Sequence, residues 1–266
     1  MARFTKFIVG AAGIALALTG CASNTTNSPS PSTDDTVTTV KAGYLTMCSD
    51  SPYPPFEYED DTTDTGYAGF DVDIMSAIAA QLNLKLAVID TDFNALQSGL
   101  ALASGSCDVG GSAITITDER KANIDFSDPY YDSLQSLLVP VGSPITALAD
   151  TAGKKIGVQT GTTGETYTEQ NAPSSASIVT FPSDGEMWPA LQAGQVDALL
   201  QDFPVNNQHV KDNANYVIVE KYQTDEQYGY ALAKGKNPAL LAAINSGLAD
   251  LRSSGQYQTI YDKYFS

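Results

Sequence analysis

From Lys41 onward, apolar positions follow two alternating periods: short runs of strand length, and longer segments in which apolar residues recur every three or four places. This alternation predicts an α/β chain. Residues 44–48 read as a first strand. In residues 71–83, Ile74, Met75, Ile78 and Leu82 share one helical face, and Asp71 stands where a helix N-cap belongs. Residues 84–89 are predicted as the next strand, 94–103 as a helix, and 107–114 as a third strand.

A second alternation starts after Asp132. It gives a strand at Lys155–Gln159, a glycine-flanked turn at 161–164, a helix at 165–170, and strands at Ser177–Phe181 and 195–200. The segment Ala190-Leu191-Gln192-Ala193-Gly194 echoes Ala95-Leu96-Gln97-Ser98-Gly99, a helix ending in glycine before a strand. Pro189 falls inside the second of these helices or marks its start, and the pattern leaves that boundary open. Near the end, Asn237-Pro238 supplies a cap and a first-turn proline, and Leu240, Leu241, Ile244, Leu248 and Leu251 form a buried stripe that Gly255 ends. Tyr257, Ile260, Tyr261 and Tyr264 read as core packing on a last short helix.

The first twenty residues have a different character. Arg3 and Lys6 precede a short apolar run, the pattern of an export signal, and the run is too short to span a membrane. It ends in Leu18-Thr19-Gly20-Cys21, which resembles the lipobox of bacterial lipoproteins, so residues 1–20 are expected to be cleaved and Cys21 lipidated. Residues 21–40, rich in Ser, Thr, Asn and Pro, are expected to form a flexible tether. The 14 Lys and Arg against 31 Asp and Glu give a net charge of −17, which argues against nucleic acid as a partner. Without Arg3 and Lys6 there remain 12 basic residues, and the mature charge is −19. Of the 3 cysteines, Cys48 and Cys107 remain; in an oxidising compartment they suit a disulfide, with two buried thiols as the alternative.

Four segments occur in one order and spacing: Tyr53-Pro54-Pro55-Phe56-Glu57-Tyr58, Gly69-Phe70-Asp71-Val72-Asp73, Ile114-Thr115-Ile116-Thr117-Asp118-Glu119-Arg120, and Ile124-Asp125-Phe126-Ser127-Asp128-Pro129-Tyr130-Tyr131. On these the chain resembles the polar amino-acid family of bacterial solute-binding proteins, which serve ABC importers. The resemblance implies a two-lobe periplasmic binding protein type II fold with a double-crossover hinge. Lobe one would comprise residues 41–134 plus 224–266, lobe two residues 135–223, and ligand would sit in the cleft between them. It further implies a monomeric binder that hands its amino acid to permease subunits, with no cofactor, metal or catalytic residue.

The chemistry of such a site follows from its ligand. An amino acid is a zwitterion, so a dry cleft must offer a cation to its carboxylate and an anion to its ammonium. Arg120, after the Thr-Ile-Thr run, supplies a planar fork for the carboxylate. Asp202, after the apolar strand residues Leu199 and Leu200, matches the family's ammonium-binding aspartate. Tyr53 and Phe93 match two aromatic walls. Ser112, Ala113 and Thr115 match a strand end that hydrogen-bonds the ligand, and Gln159, Thr162 and Thr163 match a turn in lobe two. Asp50, Asp71 and Gln201 match positions near the ligand side chain, which suggests a basic or neutral polar ligand such as arginine, lysine, ornithine or glutamine. Two other classes stay in view: an enzyme on the same fold, similar to cyclohexadienyl dehydratase, and a ligand-sensing accessory protein. The single histidine, His209, lies in a polar stretch and reads as a surface residue.

Overall fold

The computed structural model describes residues 37–266; the export signal, Cys21 and the tether up to residue 36 lie outside the described residues. The chain opens with β1 (Tyr44–Ser49), whose residues after Tyr44 are all buried, as befits a central strand with covered faces. A small hairpin, β2 (Tyr58–Glu59) and β3 (Tyr67–Ala68), leads into α1 (Phe70–Gln81) and β4 (Lys85–Asp90). Then follow α2 (Phe93–Gln97), α3 (Leu100–Ala103), β5 (Val109–Gly110), α4 (Asp118–Lys121) and β6 (Ile124–Phe126). The long β7 (Tyr131–Pro140) carries the chain into a second sheet with β8 (Lys155–Gln159), α5 (Thr163–Asn171), β9 (Ser177–Phe181), α6 (Asp184–Gln192), β10 (Ala198–Asp202), α7 (Phe203–Asp212) and β11 (Tyr216–Tyr228). The chain then returns through β12 (Ala231–Ala233) and ends in α8 (Pro238–Ser254) and α9 (Gln256–Phe265).

Two five-stranded sheets result, ordered β4-β1-β5-β12-β6 and β11-β7-β10-β8-β9. In the first, β1 runs parallel to β4 and β5 while β12 runs antiparallel to its neighbours. In the second, β8 runs parallel to β9 and β10 while β7 opposes both β10 and β11. Strands β7 and β11 pair from Tyr131 opposite Tyr228 to Tyr216 opposite Pro140. The chain therefore crosses between the sheets twice, on two strands bonded to each other. The architecture is the two-lobe type II binding-protein fold.

Several local expectations change. Helix α1 starts at Phe70 with Gly69 as its cap residue, and Asp71 lies buried in the first turn instead of capping it. The helix expected over 94–103 breaks at Gly99, whose φ of 81° is left-handed. The third strand shrinks to Val109–Gly110, because the chain turns away at Ala113, which adopts φ 45°. The expected 195–200 strand moves to Ala198–Asp202, since Ala193, Gly194 and Gln195 are spent closing α6 onto Pro189, Leu191 and Ala190. Pro189 lies within α6, which begins upstream at Asp184. His209 is buried: its ring stacks on Trp188 at 4.2 Å and its Nε2 lies 3.0 Å from both oxygens of Asp184. A polar neighbourhood in sequence concealed it, because the aromatic partner comes from another helix. At the C-terminus, Asn237 accepts from Leu240 N at 3.1 Å, and α8 stops at Gly255, as its pattern predicts. Tyr257, Ile260, Tyr261 and Tyr264 pack against the core of the first sheet.

Candidate functional site

The parallel strands β1, β8 and β10 end at one cavity, the place where crossover sheets leave a crevice for ligands. From the first lobe come Asp50 and Tyr53 beyond β1, Phe93 at the head of α2, Ser112, Ala113 and Thr115 in the turn after β5, and Arg120 in α4. From the second come Gln159 closing β8, Thr162 and Thr163 opening α5, and Asp202 closing β10. Eleven residues singled out in the sequence thus border one space.

Asp71 and Gln201 do not line it. Asp71 is fully buried behind the cavity floor, where it accepts from Ala113 N at 2.9 Å and from the Tyr130 hydroxyl at 2.6 Å. It holds the left-handed turn that presents residues 112–115. Gln201 points into the second lobe and donates to Asp184 at 2.9 Å and Asn206 at 3.0 Å. Alternation along β10 explains this: neighbouring side chains face opposite sides of a sheet, so Gln201 and Asp202 cannot both face the cleft.

Arg120 is placed by α4, a short helix capped by Thr117, which accepts from Arg120 N at 3.1 Å. Its Nη1 donates to Thr115 O at 2.8 Å and its Nη2 to Gly161 O, on the other lobe, at 2.9 Å. The guanidinium also stands 5.3 Å from the centre of the Phe93 ring. These contacts fix the plane of the fork and leave further N–H donors for an anion. Burial lowers the Arg120 pKa, opposed by the negative charges of Asp202 and Glu226.

Asp202 accepts from Gln135 Nε2 and from the Tyr228 hydroxyl. Burial, reinforced by the charge of Glu226, pushes its pKa up to about 7 against those hydrogen bonds. Asp50 accepts from Gln159 Nε2 at 2.6 Å across the cleft, and Gln159 also donates to Pro182 O at 3.0 Å. Burial raises Asp50 to about 7 as well, with Asp90, Asp92 and Asp184 adding repulsion while the Gln159 bond pulls the other way. A cation entering near either aspartate would relieve this penalty.

Four further residues support the site. Glu57 lies behind the floor and accepts from the Ser112 hydroxyl. Gln135 and Tyr228, from the crossing strands, hold Asp202. Glu226 accepts from hydroxyls of both lobes. Glu57 belongs to the Tyr53–Tyr58 motif, which makes it legible in sequence; Glu226 sits among polar neighbours on a strand, where nothing separates it from a solvent-facing residue. Cys48 and Cys107 form a disulfide, with Cα atoms 5.8 Å apart, that ties the end of β1 to the approach to β5.

Fold and cavity together define a cleft-type solute-binding protein. Residues 45–266 match the bacterial extracellular solute-binding proteins, family 3, and the chain belongs to that family, whose members work outside the cytoplasm. It is 34% identical over 226 residues to a probable histidine-binding protein of Neisseria gonorrhoeae, covering 83% of this chain and 82% of that one. It is 36% identical over 204 residues to the ABC transporter glutamine-binding protein GlnH of Bacillus subtilis (strain 168), covering 74% and 72%. Among solved structures, an ancestral arginine-binding protein bound to arginine superposes with a TM-score of 0.78 at 37% identity, over 84% of this chain and 99% of that one.

Proposed function

We propose that this chain is the amino-acid-binding component of an ABC importer, taking a basic or neutral polar L-amino acid and delivering it to permease subunits. The observation that carries the reading is the pairing, on one small buried cavity, of a guanidinium held by the first lobe with a carboxylate supplied by the second, Arg120 and Asp202. The ligand α-carboxylate would lie on the Arg120 fork and the first-turn amides of α5, where the helix dipole favours an anion. The ammonium would lie on Asp202, and the side chain would run between Tyr53 and Phe93 toward Asp50. The named relatives bind different side chains, and what histidine, glutamine and arginine share is this zwitterionic head. Selectivity would rest on Asp50: burial and neighbouring acids already disfavour one negative charge there, and a ligand carboxylate would add another in a dry cleft, at a cost of several kcal/mol.

In this reading the lobes are residues 41–134 with 224–266 and residues 135–223, and they close as a monomer about the paired strands near 131–134 and 224–228. The lipobox-like run at Cys21 would anchor the protein to the membrane through its tether. Calorimetric titration with the twenty amino acids tests the proposal: one basic or neutral polar amino acid should bind, unchanged by the protein. Tightest binding of glutamate or aspartate, or turnover of the bound compound, would refute it.

A further inference from the structure

Two hydroxyls that line the cavity give their protons to a carboxylate that does not. Glu226, on β11 and largely buried, accepts from Thr115 Oγ1 at 2.9 Å and from Thr163 Oγ1 at 2.7 Å. Gln135 Nε2 donates to the same carboxylate at 3.0 and 3.2 Å, and also to Thr163 Oγ1 at 3.3 Å. A hydroxyl has one proton and two lone pairs. With its proton engaged in the hydrogen bond to Glu226, each threonine oxygen can offer a further neighbour only a lone pair. The same Gln135 nitrogen donates to Asp202, so Thr163 is linked to that carboxylate through a shared donor, and Thr115 joins the set through Glu226.

We propose that Glu226 is a specificity-determining positioning residue, which turns the Thr115 and Thr163 hydroxyls into fixed acceptors beside Asp202 and so makes this wall of the cavity a receptor for an amino group. The inference rests on the amino-acid reading above and deepens it. The ligand's ammonium would meet one carboxylate and two hydroxyl oxygens, and a head group without N–H donors would leave those lone pairs unmatched. Replacing Glu226 by glutamine keeps the size but introduces an N–H₂ donor. Both threonines donate to Oε2, so the amide N–H₂ must stand either there, where it opposes both threonine protons and turns them toward the cavity, or at the Oε1 position, where it opposes the Gln135 donor that also holds Asp202. In either case the set that presents acceptors to an ammonium is broken.

The test compares amino and deamino ligands by calorimetry. The probes are L-arginine with 5-guanidinopentanoate, and L-glutamine with 4-carbamoylbutanoate. In the wild type the amino member of the better-bound pair should be strongly preferred. In Glu226→Gln its affinity should fall by about tenfold or more, while the deamino member changes little, so that the preference shrinks. Thr163→Val should shrink it in the same direction, and adding Glu226→Gln to a Thr115→Val, Thr163→Val background should change it little further. Equal weakening of both members in Glu226→Gln, or an unchanged preference, would overturn the role of Glu226 while leaving amino-acid binding intact. A wild type that binds none of the four probes would overturn the binding reading itself, and this assignment with it.

Discussion

The Arg120 side chain donates to one carbonyl in each lobe, so its fork is both the anion receptor of the proposed site and a strut across the cleft. Its charge is only part of what it supplies. Lysine would keep the charge but could not span Thr115 O and Gly161 O from one rigid plane while holding a planar cation near the Phe93 ring. Arg120→Ala should therefore weaken amino-acid binding by about 2 to 5 kcal/mol, since the ligand carboxylate would be buried without its partner. Arg120→Lys should recover less than half of that loss. Calorimetry on both variants, with thermal melting to confirm that they fold, checks the ordering; a lysine variant that binds like the wild type would show that geometry is unimportant here.

Two separate sequence motifs, Tyr53–Tyr58 and Gly69–Asp73, meet at the head of α1. Phe70 N donates to Pro55 O at 2.9 Å and Asp71 N to Phe56 O at 3.0 Å, so the Tyr53–Glu57 turn and the start of the helix satisfy each other's backbone. Gly69 makes this approach feasible. It sits at φ 135°, and a Cβ there would lie 2.1 Å from Phe56 O, against rigid backbone. Gly69→Ala should cost about 3 kcal/mol or more, whereas Gly105→Ala, left-handed but facing open space, should cost about 1 kcal/mol. Denaturant melts of the two variants compare them directly, and equal costs would disprove the clash. The same junction shows what sequence could and could not yield. Helix α1 was legible from its apolar face, and α8 from its cap, proline and stripe, because those signals are local. Asp71 looked like a cap and then like a ligand contact, because its true partner, Ala113 N, lies on a distant turn. The cavity residues were legible through motif order, whereas Glu226, Gln135 and Tyr228 were not. Their role comes from two crossing strands that pair only when both lobes are built.

Taken together, the buried acids give the molecule an unusual dependence on pH. Asp50, Asp71 and Asp202 are each raised from 3.8 to about 7, and Glu57 is raised well above its ordinary value, all chiefly by burial. Below the unfolded pKa both folded and unfolded chains hold these protons, and no penalty arises. As pH climbs from about 4 toward 7, the unfolded chain releases them while the folded chain keeps them, so stability falls; beyond about 7 the folded groups ionise too and the loss levels off. Asp60, Asp125 and Asp150 shift the other way through their hydrogen bonds and, for Asp125, the Lys234 ion pair, but they sit at the surface, where solvent screens them. The net charge of −17 adds repulsion of the same sign as the buried acids. The melting temperature of the ligand-free protein should therefore be lower at about pH 7.5 than at about pH 5. An ammonium at Asp202, and a cationic side chain at Asp50, would favour the ionised carboxylates, so the rise in melting temperature on adding L-arginine should be larger at the higher pH. Differential scanning fluorimetry across this range reads both slopes. A ligand-free stability that climbs steadily from acid to neutral would show that these carboxylates are not held protonated by the fold, and with it the electrostatic case for a cation at Asp50 would fall.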